Sequence, residues 1–267
     1  MAKLQDMFTH ARKAKSGGSI GFLGKNRGEI KPRAAAIVLE LTKATPGSAE
    51  AAVKAGADGL LFRWDGKDSV QLDTLKDEIA SAKTASEEVV SGLHITGGWD
   101  NLDHDTLAQI KERDIQYVIL PLEAPARLLG QETKDLEMVV TVPMRSGDMY
   151  PLFIRNLTAF DTIAGVLLDF GLSSNVGAMT IEEVLQYRAV REAVRFPALL
   201  DVNGDLEKTD VYTLLALGVQ AFIISTSNVD ATVQEQIKAL RGILESIHEE
   251  GKEANVHKTG LGPQENR

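Results

Sequence analysis

At 267 residues, 43% of them hydrophobic and 25% charged, the chain has the size and composition of one large globular α/β domain rather than a disordered or fibrous protein. It has no cysteine, which excludes disulfides, a thiol nucleophile and thiolate metal sites. No apolar run approaches the roughly 18 residues of a membrane span, and a net charge of −9 argues against general nucleic-acid binding.

The N-terminal stretch MAKLQDMFTHARKAK lacks the apolar segment of a secretory signal, so a cytoplasmic protein is expected. Residues 3–15 fit a short helix with Leu4, Met7, Phe8 and Ala11 on one face. The glycine-rich stretch to Arg33 reads as a loop or small hairpin that either plugs a barrel bottom or folds toward its mouth. Residues 1–33 carry eight Lys or Arg against Asp6 and Glu29, a local charge of +6, which leaves −15 on the remainder. Such a basic extension suits a solvated arm lying on an acidic body, or a contact with an anion, a membrane surface or an acidic partner.

Eight short apolar runs follow, each ending in turn or polar residues and each followed by a helical pattern. They are AAAIVLEL from Ala34, GLLFR from Gly59, GLHITG from Gly92, QYVILP from Gln116, EMVVTVP from Glu137, AGVLLDFG from Ala164, PALLDVNG from Pro197 and AFIISTS from Ala221. Buried strands alternating with helices imply a parallel sheet with helices outside it. Eight such units predict a (β/α)8 barrel of the TIM type over residues 34–248, followed by a mobile polar tail over 249–267. The intervening helices are marked by Pro46-Gly47-Ser48, by the stripe Val70, Leu72, Leu75 and Ile79, by Asp103 as a cap, and by the capping box Thr180-Ile-Glu-Glu183. Residues 208–217 and 230–248 complete the series, and 148–160 is the weakest helix because Pro151 falls inside it. Gly56, Gly130 and Gly218 stand where a helix must turn sharply into the next strand. An open dinucleotide-binding sheet is disfavoured, since the first strand leads into LTKATPGSAE without a G-x-G-x-x-G turn.

In such a barrel, the residues ending the strands gather on one face. Glu40, Asp169 and Asp201 each follow an apolar run, where an ionised group is costly unless paired. Their convergence would supply a general base, or a site for Mg²⁺ or another hard cation; pairing with Lys43, Arg63 or Arg145 is the structural alternative. His94 joins them as a base, a ligand or a hydrogen-bonded core residue. Arg63 and Arg145 are suited to clamp a carboxylate or phosphate bidentately. No lysine lies inside the fifth to seventh runs, there is no G-x-S-x-G elbow and no H-x-x-x-H pair, so Schiff-base, serine-nucleophile and zinc chemistry are disfavoured.

The stretch PALLDVNGD, LGVQ and AFIISTSN (residues 197–228) resembles the phosphate-binding half of the phosphate-binding (β/α)8 barrel superfamily. The usual Gly-Gly turn reads Asn203-Gly204 here, and the usual Gly-Ser reads Ser225-Thr226. The resemblance implies phosphate bound near Asn203, Gly204, Ser225, Thr226 and Ser227. Together these features lead to a lyase or isomerase for a small anionic or phosphorylated metabolite. The alternatives are a non-catalytic barrel serving as a binding or assembly subunit, and an FMN-binding barrel. A homo-oligomer is expected, with Trp64, Trp99, Phe153 and Phe160 as candidates for its apolar interface.

Overall fold

Eight parallel strands form a closed ring in sequence order in the computed structural model, which describes residues 4–13, 31–131, 135–145, 147, 149–171, 176–202 and 204–259. They are β1 (Ala36–Leu41), β2 (Gly59–Trp64), β3 (Val90–Ile95), β4 (Tyr117–Pro121), β5 (Glu137–Pro143), β6 (Ile163–Asp169), β7 (Ala198–Asp201) and β8 (Ala221–Thr226). Closure is made by β1 and β8, with Glu40 in register with Ser225. The period-2 alternation of strands then divides the apolar residues into two cores. Val38, Leu61, Val90, Ile119, Val139, Leu167, Leu199 and Ile223 fill the lumen. Leu39, Leu60, Phe62, Leu93, Val140, Val166, Leu200 and Phe222 meet the surrounding helices.

Helix α1 (Leu4–Arg12) plugs the N-terminal end of the barrel. Leu4, Met7, Phe8 and Ala11 all enter the luminal core, and the Leu4 amide donates to Glu137 Oε2 at 2.7 Å. Gly59 and Gly165 make room for this plug, because a Cβ at Gly59 would lie 2.6 Å from Met7 Sδ and one at Gly165 3.0 Å from Leu4 Cδ2. The Arg33 amide donates to the Ala11 carbonyl at 2.6 Å, and the Arg33 guanidinium pairs with Asp58, which also accepts from the Ile37 amide at 2.9 Å. Of the basic N-terminal segment, residues 1–3 and 14–30 lie outside the described residues.

The helical layer comprises α2 (Ser48–Ala55), α3 (Ser69–Ala85), α4 (His104–Glu112), α5 (Tyr150–Ile154), α6 (Ile181–Val194), α7 (Lys208–Ala216) and α8 (Ala231–Thr259). On α3, Leu72, Leu75 and Ile79 are buried as expected, while the side chain of Val70 lies outside the described residues. Thr180 and Glu183 form the anticipated capping box at α6. Helix α2 has no cap of its own. Instead the buried carboxylate of Glu78, on α3, accepts from the amides of Gly47 at 2.8 Å and Ala49 at 3.1 Å, which supplies the missing partners of the helix N-terminus.

Three features differ from the sequence expectation. Between β4 and β5 the described residues hold a 3-10 turn, Ala126–Gly130, and no α-helix. Gly130 ends that turn and is absent from the residues with left-handed backbone, whereas Gly56 and Gly218 adopt φ of 114° and 85° as their helix-ending positions require. Helix α8 runs through residue 248 to Thr259, so the position expected to begin a tail is helical. Among the described residues no helix is long and apolar enough to cross a membrane.

Candidate active site at the barrel mouth

The last lumen-facing position of five neighbouring strands carries a polar side chain, and these side chains meet. Glu40 on β1 is the centre, only 2% exposed. Its Oε1 accepts from His94 Nδ1 (β3) at 2.8 Å and from Arg63 Nε (β2) at 3.3 Å. Its Oε2 accepts from Arg63 Nη2 at 2.7 Å and from Ser225 Oγ (β8) at 2.6 Å. Burial works against the charge of Glu40, yet the hydrogen bonds from His94, Ser225 and Arg63, with the Arg63 charge, hold its carboxyl at about 2. A carboxylate so saturated is a poor base and a good anchor. Since it only accepts, His94 must carry its proton on Nδ1, which leaves Nε2 for a second partner.

Asp201 on β7 completes the arc. Its Oδ2 lies 3.5 Å from Ser225 Oγ, and its carboxyl is pushed up, first by burial and then by the neighbouring Glu40 charge. The hydroxyl proton of Ser225 is committed to Glu40 by the shorter contact. The longer contact of the Ser225 hydroxyl with Asp201 works against that rise without cancelling it. The arc thus holds two carboxyl groups in opposite conditions, one held well below its ordinary value and one raised above it.

Backbone packing fixes the rim beside Arg63 and His94. Gly66 after β2 and Gly98 after β3 both have left-handed backbone, with φ of 77° and 66°. A Cβ on Gly66 would lie 2.2 Å from the Gly97 carbonyl oxygen, and one on Gly98 2.4 Å from Gly66. Only glycine permits both the conformation and the approach.

Beneath the arc lies Tyr117, fully buried, its ring end so close to β3 that a Cβ at Gly92 would fall 2.2 Å from Tyr117 Cζ. Among the described residues its hydroxyl has no hydrogen-bond partner, and burial followed by the Glu40 charge pushes its ionisation upward. A buried hydroxyl without a partner costs about 1–3 kcal/mol. Tyr117→Phe is accordingly expected to stabilise the protein by about 1 kcal/mol, read as a higher urea midpoint at unchanged m-value. A loss of stability would instead show that the hydroxyl is bridged to Glu40 through an ordered water.

The other anticipated residues stand apart from this arc. Arg145 pairs with Glu123 at 3.4 Å and lies over the Tyr150 ring, both contacts on the exposed rim after β4 and β5. Asp169 ends β6 with an exposed side chain, in register with Pro143. Among the described residues no group of three His, Asp or Glu side chains is placed to hold a metal ion, so Glu40, Asp169 and Asp201 do not form the cation site their positions suggest. The donor chemistry agrees, because both oxygens of Glu40 are already taken by cationic and hydroxyl donors.

The expected phosphate turns have other occupations. The Thr226 hydroxyl donates to the Asn228 carbonyl at 2.8 Å and accepts from the Asn228 amide at 3.2 Å, closing a local turn. Gly204 is left-handed, with φ of 82°, and Ser227 is exposed, while Asn203 lies outside the described residues. Both nearby helix N-termini already carry carboxylates: Glu207 and Asp210 box α7, and Asp230 accepts from the Val233 amide at the start of α8 at 3.0 Å. Sequence reading did not anticipate this internal capping. The acidic residues at both helix starts were the available signal.

Parallel strands closed in order, helices outside and polar side chains at the C-terminal strand ends define a (β/α)8 barrel protein. No protein-family model matches the chain, and no curated protein matches its sequence. Solved structures do share its fold. One is a ligand-free tryptophan synthase from M. tuberculosis, with TM-score 0.55 and 14% identity over 80% of this chain and 92% of that one. Another is the tryptophan synthase alpha-subunit of Pyrococcus furiosus, with TM-score 0.54 and 12% identity over 81% and 98%. A third is a designed cube-shaped cage built by fusing symmetric oligomeric domains, with TM-score 0.55 and 11% identity over 84% and 77%. The likeness is one of fold.

Proposed function

We propose that the barrel mouth is an acid–base site that performs a lyase or isomerase reaction on a small anionic metabolite. The observation that carries this reading is the pairing of a raised Asp201 carboxyl with a saturated Glu40 across Ser225. Asp201 is the proton-transfer group, and His94 Nε2, oriented through Nδ1 by Glu40, is the second. Arg63, with 43% of its side chain exposed, holds the substrate anion with the donors Glu40 leaves unused. Glu40 orients the other groups and does not itself exchange protons.

The acidic helix starts after β7 and β8 favour placing the anion at Arg63 over a phosphate at Gly204, Ser225, Thr226 and Ser227. A thermal-shift titration with inorganic phosphate, carboxylates, sugar phosphates and triose phosphates tests this. Ligand bound to the native state at a hundredfold excess over its dissociation constant adds about 2.7 kcal/mol. A saturable shift that Arg63→Met abolishes supports the reading. A shift that survives Arg63→Met but is lost in Ser227→Asp returns the anion to the β8 turn, and no shift with any compound counts against a small-anion site.

A further inference from the structure

Arg63 and His94 are register partners on the adjacent strands β2 and β3, and both donate to one oxygen, Glu40 Oε1, at 3.3 Å and 2.8 Å. That shared anchor decides what each has left to offer a ligand. The Glu40 carboxylate takes Nε and Nη2 of Arg63 as a fork, which leaves the Nη1–Nη2 edge of the guanidinium without a partner among the described residues. A planar carboxylate matches such an edge with two parallel hydrogen bonds. His94 makes a different demand. With its proton held on Nδ1 by Glu40, the neutral ring presents a bare lone pair at Nε2, so it takes a hydrogen from a ligand rather than giving one. Among the described residues no donor occupies that lone pair, and 21% of the His94 side chain is exposed.

Two requirements therefore stand side by side, an anion for the free edge of Arg63 and a hydrogen-bond donor for His94 Nε2, one strand apart. A carboxylate whose adjacent carbon carries a hydroxyl meets both. An ammonium on that carbon would also donate, but it would lie against the Arg63 guanidinium, and like charges repel. The Glu40 charge that could offset this is already taken up by Arg63, His94 and Ser225. A hydroxyl donates without a charge of its own. We infer that the mouth recognises a 2-hydroxycarboxylate, with its carboxylate on Arg63 and its hydroxyl donating to His94 Nε2. This rests on the acid–base reading of the mouth and narrows its small anionic metabolite to one chemical class. It also makes His94 a specificity-determining residue, because an analogue without the hydroxyl leaves the Nε2 acceptor covered and unpaired.

Magnetic-resonance titration of the full chain with glycolate, acetate, methoxyacetate and free glycine tests the inference, at mildly alkaline pH where histidine is ordinarily neutral. Glycolate is expected to bind about tenfold more tightly than the other three. Acetate lacks the hydroxyl, methoxyacetate keeps the oxygen without its hydrogen, and glycine puts a cation in its place. His94→Asn keeps an amide donor for Glu40 but has no acceptor at the Nε2 position, and is expected to bring glycolate down to the level of acetate. Should that variant fail to fold, the methoxyacetate comparison on the parent carries the same test. Equal affinity for glycolate and acetate, both lost in Arg63→Met, overturns the hydroxyl assignment while the anion stays at Arg63. Methoxyacetate binding as tightly as glycolate overturns it, as does a glycolate preference that persists in His94→Asn. A preference for glycine overturns it in favour of an ammonium. Saturable binding of none of the four overturns it together with the small-anion reading.

Discussion

Asp201→Asn is expected to lower turnover by about 10²–10⁴-fold while leaving the barrel slightly more stable than the parent at neutral pH. The two effects share one cause. In the folded protein, burial and the fixed Glu40 anion raise the Asp201 carboxyl above its ordinary value. A carboxyl raised on folding is ionised at a cost: the penalty is fully present at pH above the folded value and vanishes below the unfolded one. An amide keeps the shape and the contact with Ser225 and escapes that penalty. The gain is small, because Asp201 is exposed to solvent that screens Glu40. Urea unfolding of parent and variant at neutral and acidic pH checks the stability half, where the difference must disappear in acid. Assay of the variant on any substrate found by the ligand screen checks the other half. A variant of full activity removes Asp201 from the chemistry, and one less stable at neutral pH shows that its charge is favourably paired.

The strand count, the helical layer and the in–out alternation were legible because they follow from local periodicity. Glu40, Arg63, His94, Asp201 and Ser225 were each legible as strand-end residues for the same reason. Which of them meet was not, since that depends on ring closure. Once β1 pairs with β8, strands β7, β8, β1, β2 and β3 form one continuous arc centred on β1, with β5 across the ring from it and β6 three strands away. Arg63, inside β2, therefore reaches Glu40, whereas Asp169, at the end of β6, and Arg145, two residues beyond the end of β5, do not. The assignment of Ser225 to phosphate failed to anticipate Glu40 for a similar reason. The two residues are 185 positions apart in sequence and in register in the sheet. A turn motif read along the chain carries no information about a neighbour brought in by closure.

Glu40 is also expected to govern the acid stability of the barrel. Its carboxyl lies at about 2 in the folded protein against an ordinary 4.5, a difference that corresponds to about 3 kcal/mol. Because the folded value is depressed, this contribution is fully present above the unfolded value and is lost as pH falls toward about 2. Replacing Glu40 by Gln leaves a residue of the same size that offers Arg63 and His94 no anion, and breaking such a buried pair costs about 3–5 kcal/mol. Urea unfolding as a function of pH should show parent and Glu40→Gln far apart at neutral pH and converging in acid. Convergence requires that the carboxylate itself, rather than its volume, stabilises the arc. Parallel curves down to the acid limit would mean that Arg63 and His94 find equivalent partners in solvent and that the network holds the mouth in place without stabilising the fold. The same variant separates the two carboxyl roles, because losing the Glu40 anion lets Asp201 fall back toward its ordinary value. A pH–rate profile displaced toward acid in Glu40→Gln is the expected signature of one carboxylate tuning the other.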